Sequence, residues 1–211
     1  MTVVFRALTA VCAVAGIVAL QLWNHGDWGS FVYFTVQSAV IIAVVSAIAA
    51  VGTVPAWVRG AATLYSCITG TVYHTLLANP ASPFYQPDSG AHALHNLLLH
   101  TVVPILAAVT WLLVERERVR WWFAAVWLAY PLAYLVFAMI RGAFVHEYPY
   151  PFIDVNKLHA GGVTITSLGF TVAFFLLGLL LIGLGTLLRR ALPARAGTSD
   201  EDTRVEDAAG V

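Results

Sequence analysis

Six apolar stretches constrain this chain more than any other feature: Val3–Trp23, Phe31–Val51, Trp57–Leu77, Leu94–Val114, Trp121–Ile140 and Gly162–Leu188. About 20 apolar residues wound as a helix cross the hydrocarbon of a bilayer. Backbone groups in hydrocarbon must satisfy one another, which leaves helices or closed barrels, and apolar runs without period-two alternation select helices. The expected fold is all-α: a polytopic six-transmembrane-helix bundle over residues 1–190, then a tail, residues 191–211. The tail's Ala, Gly, Asp and Glu content predicts disorder. The first run ends in Gln21-Leu22-Trp23 without a small-x-small cleavage site, so it reads as a retained helix rather than a signal peptide. The last run is the longest and is expected to tilt or project beyond the bilayer.

Charge excludes some function classes. Only 10% of residues are charged and the formal net charge is zero, so a nucleic-acid partner has no electrostatic support. Membrane lipids and a lipid substrate are the expected partners, and the sequence leaves the oligomeric state open. The cations are unevenly distributed. Arg6, Arg59, Arg116, Arg118, Arg120, Arg189, Arg190, Arg195 and Arg204 fall on one side of the expected topology; Arg141 and Lys157 fall on the other. The positive-inside rule then places both termini in the cytoplasm. Arginine outnumbers lysine ten to one, as in GC-rich genomes, and a bacterial cytoplasmic membrane is the expected location. Cys12 and Cys67 lie within apolar runs and read as small core residues.

All seven histidines (25, 74, 92, 95, 100, 146 and 159) belong to the outer half of this topology. An ionisable residue within a membrane segment is costly and suggests function. His100 lies about six residues into the fourth run, Thr35 four residues into the second and His74 about three from the end of the third. At about 1.5 Å per residue all three share one depth. Helical phase groups further residues. Thr35, Ser38, Ile42 and Ser46 form one stripe. Thr63, Cys67, Gly70 and His74 form another, and Asn96, His100, Pro104, Ala107 and Trp111 a third. On the fifth run Trp127, Tyr130, Tyr134, Phe137 and Arg141 align, and on the sixth Thr164, Ser167 and Thr171. The stripes predict a polar pocket opening to the outer side. His95 points away from His100 and, with His92, belongs to the rim.

Two of the outer connections, Ala78–Ala93 and Arg141–Gly161, are long and rich in Pro, Tyr and Phe, notably Tyr148-Pro149-Tyr150-Pro151-Phe152. They read as interfacial anchors or as a lid over a lipid-facing pocket. No histidine set has the spacing of a strong metal motif, and no metal or cofactor is expected.

The segment Phe31-Val32-Tyr33-Phe34-Thr35 and the segment His100-Thr101-Val102-Val103-Pro104 together resemble the androgen-induced-gene family. Its members are multi-pass membrane hydrolases of fatty acid esters of hydroxy fatty acids. The resemblance covers about Thr9 to Leu188 and is to a bacterial branch. It implies Thr35 as nucleophile and His100 as general base, with Val114-Glu115-Arg116 as the acidic helix end. No carboxylate shares a face with either residue. A third role therefore falls to Asp154 or Glu147 from the last outer loop, or to His74 or Asn96 as orienting groups. Asn96 is also the expected oxyanion donor, Arg141 the partner of a substrate carboxylate, and Leu97, Leu98, Tyr134 and Phe137 the acyl-chain walls. Transport, non-catalytic lipid binding, and haem ligation by His74 and His100 are the competing readings.

Overall fold

In the computed structural model, residues 2–85, 93–115 and 117–191 are described, and among them every regular element is helical. The membrane segments are α1 (Thr2–Trp23), α2 (Phe34–Val51), α3 (Ala56–Val72), α4 (Leu94–Val114), α5 (Phe123–Val145) and α6 (Val155–Ala191). All but α3 are long and apolar enough to cross a bilayer. Helix α3 has 17 residues and is prolonged by a π-helical turn, Tyr73–Leu77. The protein is an all-α integral membrane protein. The tail 192–211, His92 and Arg116 lie outside the described residues.

Helix α3 is the one the others are built around. Most of its residues are buried, among them Gly60, Ala61, Ala62, Thr63, Ser66 and Gly70. Small residues let neighbouring backbones approach where the solvent offers no hydrophobic drive. A Cβ on Gly60 would lie 2.4 Å from the Trp127 ring of α5. Two buried tryptophans complete this layer. Trp111 Nε1 donates to the Leu181 carbonyl at 2.9 Å, and Trp127 Nε1 to the Trp57 carbonyl at 2.8 Å.

Both ends of the chain's helical part meet at one end of the bundle. Arg6 of α1 donates to both oxygens of Glu115, each at 2.9 Å, and to the Ala49 carbonyl of α2 at 2.7 Å. Arg59 of α3 reaches Glu115 at 2.9 Å and Glu117 at 2.8 Å, and bonds the Val54 carbonyl. Arg189 of α6 donates to the Glu115 backbone carbonyl at 3.4 Å. Glu115 is only 4% exposed. We call this the arginine end, and the opposite one the histidine end.

Proline and special backbone positions shape the helices locally. Pro104 has no N–H for the His100 carbonyl four residues earlier. The ladder around it shifts to i→i−5, a π-helical turn over Leu98–Val102 in which the Val103 N–H reaches the Leu98 carbonyl. Pro131 likewise cannot bond to Trp127, and α5 breaks at Trp127–Leu128. Helix α5 was expected over 121–140. It runs to Val145 because His146 caps it in the left-handed conformation, φ 60°, with its N–H on the Gly142 carbonyl. Helix α6 was expected over 162–188. It gains a first turn from Val155, but His159, at φ 55°, interrupts it, and the long straight part begins only after that residue.

Helices α3 and α4 touch at Gly70. A Cβ there would lie 2.9 Å from the Pro104 ring and 3.0 Å from the His100 carbonyl oxygen. Neither neighbour is a flexible side-chain end. Gly70→Ala is therefore expected to destabilise the fold by about 1–3 kcal/mol and to displace His100. Its check is a lower thermal midpoint of the purified protein in detergent.

Candidate active site

Thr35 is the second residue of α2, where the helix begins with unsatisfied N–H groups. Its N-cap, Tyr33, makes no side-chain capping bond. The cap comes instead from the loop before α6: the Thr35 N–H donates to the Tyr150 hydroxyl at 3.3 Å. A membrane threonine ordinarily bonds the carbonyl four residues earlier. For Thr35 that is Phe31, whose carbonyl accepts from Gln37 Nε2 at 2.8 Å. Tyr130 in turn donates its hydroxyl to Gln37 Oε1 at 3.1 Å. Thr35 Oγ1 is turned toward α4, 3.4 Å from His100 Nε2 and 3.5 Å from the Tyr150 hydroxyl. Beneath it, Ser38 Oγ lies 3.0 Å from Thr69 Oγ1, tying α2 to α3.

The imidazole of His100 is held by an aromatic face. The Tyr73 ring stacks on it with centroids 4.1 Å apart and planes 20° apart. The pair Thr35–His100 lines a cavity of about 90 Å³, whose walls include Phe34, Ile68, Leu128, Tyr134, Phe152 and Phe174. Phe152 and Ile153 are buried, so the loop's Tyr-Pro-Tyr-Pro-Phe segment folds inward as a roof. Tyr150 stacks on Phe152 at 5.1 Å and meets Tyr33 edge-on at 5.7 Å. The Tyr150 ring is partly covered, but its hydroxyl is enclosed, and that burial raises the phenol pKa above its usual value. Hydrogen bonds with Thr35 oppose the rise without cancelling it. The group is a neutral phenol near neutral pH.

The other expected residues lie elsewhere. His74 is exposed, with Nε2 2.9 Å from Thr101 Oγ1. It does not line the cavity that holds Thr35 and His100. Asn96 does not line the cavity either. Asp154 Oδ1 accepts from the Asn156 N–H at 2.9 Å, and Oδ2 lies 3.7 Å from Lys157 Nζ. It starts a helix and does not reach His100. Glu147 is exposed, and its backbone carbonyl accepts from Arg141 Nη1 at 3.0 Å. Arg141 lines a separate polar cup with Asp27, Ser30, Tyr33 and Tyr148, because α5 continues beyond it and carries it past the cavity. Leu97 and Phe137 are 52% and 43% exposed and face outward. Leu98 packs toward Gly16 of α1. Of the expected acyl-chain walls only Tyr134 lines the cavity; its hydroxyl donates to the Val32 carbonyl at 3.0 Å. His95, expected at the rim, is buried. Glu115 belongs to the arginine end.

No carboxylate lines the cavity among the described residues, and no group of three or more metal-ligating side chains occurs among them. The arrangement offers a hydroxyl beside an imidazole, a neutral phenol within reach of that hydroxyl, and apolar walls. Tyr150 and Tyr73 were not singled out from the sequence. Comparison of the chain with protein-family models, curated proteins and solved structures finds no match.

Proposed function

We propose that this protein is an intramembrane hydrolase of lipid carboxylic esters, with Thr35 as nucleophile and His100 as general base. One observation carries the reading: a threonine hydroxyl turned away from its own helix and set 3.4 Å from His100 Nε2 at the head of an apolar cavity. A hydroxyl becomes an effective nucleophile when an adjacent base takes its proton. Thr35 Oγ1 attacks the ester carbonyl carbon as its proton passes to His100 Nε2. The oxyanion accepts a hydrogen bond from the Tyr150 hydroxyl, the role first expected of Asn96. Collapse breaks the bond to the alkoxy oxygen, which leaves as the alcohol with the proton from His100. Water then attacks the acyl-threonine, giving up a proton to His100. The carbon–Oγ1 bond breaks, Thr35 regains its proton, and the acid is released. Tyr73 stacks on the imidazole and holds the orientation of its ring.

The resemblance of the Phe31–Thr35 and His100–Pro104 segments makes fatty acid esters of hydroxy fatty acids the first substrates to try. The cation asymmetry supports a cytoplasmic arginine end, and the composition supports a bacterial cytoplasmic membrane. The test is hydrolysis of such esters by purified protein in detergent, with fluorophosphonate labelling of Thr35 mapped by mass spectrometry.

Tyr150→Phe removes the phenol donor and keeps the ring stack. Loss of one oxyanion donor costs about 10²–10³-fold in kcat, so a fall of that order is expected, with KM changed much less. The raised phenol pKa has a further consequence. Any alkaline loss of rate owed to Tyr150 is expected at higher pH than an ordinary phenol would give, and the Tyr150→Phe profile should lack it. A Tyr150→Phe protein with wild-type kcat would remove Tyr150 from the mechanism.

A further inference from the structure

The catalytic cavity shares a wall with a second space. Leu132 and Leu135 of α5 and Ser167 and Thr171 of α6 line both the cavity and a groove of about 410 Å³ on the flank of the bundle. Leu132 and Leu168 at the groove are 42% and 63% exposed. From Val163 to Thr171 the groove follows α6 for about 12 Å, within the apolar part of the helix, so it faces lipid tails. The inner cavity of about 90 Å³ is small beside the 300–1,000 Å³ typical of ligand pockets. The groove supplies the missing length.

Ser167 is the unusual residue at the junction. The threonines near it bond their own helix: Thr164 to the Ala160 carbonyl at 2.9 Å and Thr171 to the Ser167 carbonyl at 2.8 Å. The carbonyl four residues before Ser167 is Val163, which accepts from Thr166 Oγ1 at 3.1 Å. Ser167 Oγ is buried and has no hydrogen-bond partner among the described residues. An unsatisfied buried hydroxyl destabilises the fold, a cost that a ligand oxygen at the junction would offset.

We propose that the α5–α6 groove is a bilayer-facing binding site for the acyl chain of a membrane lipid, and that Ser167 donates a hydrogen bond to an oxygen on that lipid. The site extends the hydrolase reading to how its substrate arrives: sideways from the membrane, chain in the groove, ester at Thr35. It commits the ligand to an acyl chain bearing an oxygen function along its length, as a hydroxy fatty acid or its ester does.

The test uses full-length protein in phosphatidylcholine nanodiscs and a photoreactive C18 fatty acid with a mid-chain diazirine, made with and without a neighbouring hydroxyl. Labelled peptides are expected to cover 132–139 and 163–171. Ser167→Trp fills the junction, and Leu132→Trp fills it from the opposite wall. At least one should be monodisperse, and each folded variant should lose most of the groove labelling. Ser167→Ala should keep the labelling but lose preference for the hydroxylated probe by about 3- to 10-fold. Labelling spread over the exposed face of α1, or unchanged in a folded tryptophan variant, overturns the groove; a Ser167→Ala protein that keeps the preference overturns the role of Ser167. Groove labelling in a protein that hydrolyses no ester keeps this site and removes the hydrolase reading.

Discussion

Thr35→Ala is expected to abolish ester hydrolysis and fluorophosphonate labelling while leaving the fold standing. Removing a nucleophile or its base costs about 10⁴–10⁶-fold in kcat where the two act as a unit, and the same loss is expected for His100→Ala. The two variants differ in stability. The Thr35 hydroxyl makes only long contacts, 3.4 and 3.5 Å, so its loss should cost less than about 1 kcal/mol. His100→Ala also removes the ring stack on Tyr73, worth about 0.5–1.5 kcal/mol, and leaves a space beside the π-helical turn. Thr35→Ser keeps a hydroxyl at the same place and should retain labelling. A fully active Thr35→Ala protein would end the proposed chemistry, because no other hydroxyl on α2 lies beside His100.

The largest stability effect is expected at the other end of the molecule. Glu115→Ala leaves Arg6 and Arg59 facing each other without the carboxylate between them. Breaking a buried ion pair by removing one partner typically costs about 3–5 kcal/mol, since the remaining charge stays desolvated. Here Arg6 loses its carboxylate, Arg59 keeps only the exposed Glu117, and one carboxylate had joined α1, α3 and α4. A fall of that size in the free energy of unfolding, measured by denaturant titration in detergent, is expected. Hydrolysis by the molecules that remain folded should be unchanged, because Glu115 lies 15 residues, or about 22 Å, along α4 from His100. An active-site defect without a stability defect would instead make Glu115 part of the catalytic machinery, as the acidic helix end in the family resemblance implies.

The sequence made the bundle legible because bilayer thickness fixes the length of each apolar run. It also set Thr35 beside His100, since both sit near the same end of long helices. Rules of 100° per residue fail next to the π-helical turns. The turn over Leu98–Val102 begins between Asn96 and His100 and breaks the face they were expected to share. The turn over Tyr73–Leu77 begins at Tyr73: Tyr73 faces His100 and His74 is rotated out. Pro104, four residues after His100, was a readable signal for the first of these turns. Nothing comparable marks the second. Arg141 lies apart from the cavity because the end of α5 depends on a left-handed His146, a conformation that composition does not announce. Tyr150 was visible as part of an aromatic loop, but its contact with Thr35 spans 115 residues of sequence, beyond the reach of any local pattern.

That span has a consequence for how the protein comes into being. The head of α2 is made early in synthesis, yet its cap arrives on Tyr150, after five of the six helices have been made. Until then Thr35 and His100 can sit in the membrane without the phenol that caps the head of α2 at Thr35. A long-range closure of this kind forms late. A competent site therefore requires the last loop to have docked, and hydrolytic activity would report that assembly is complete.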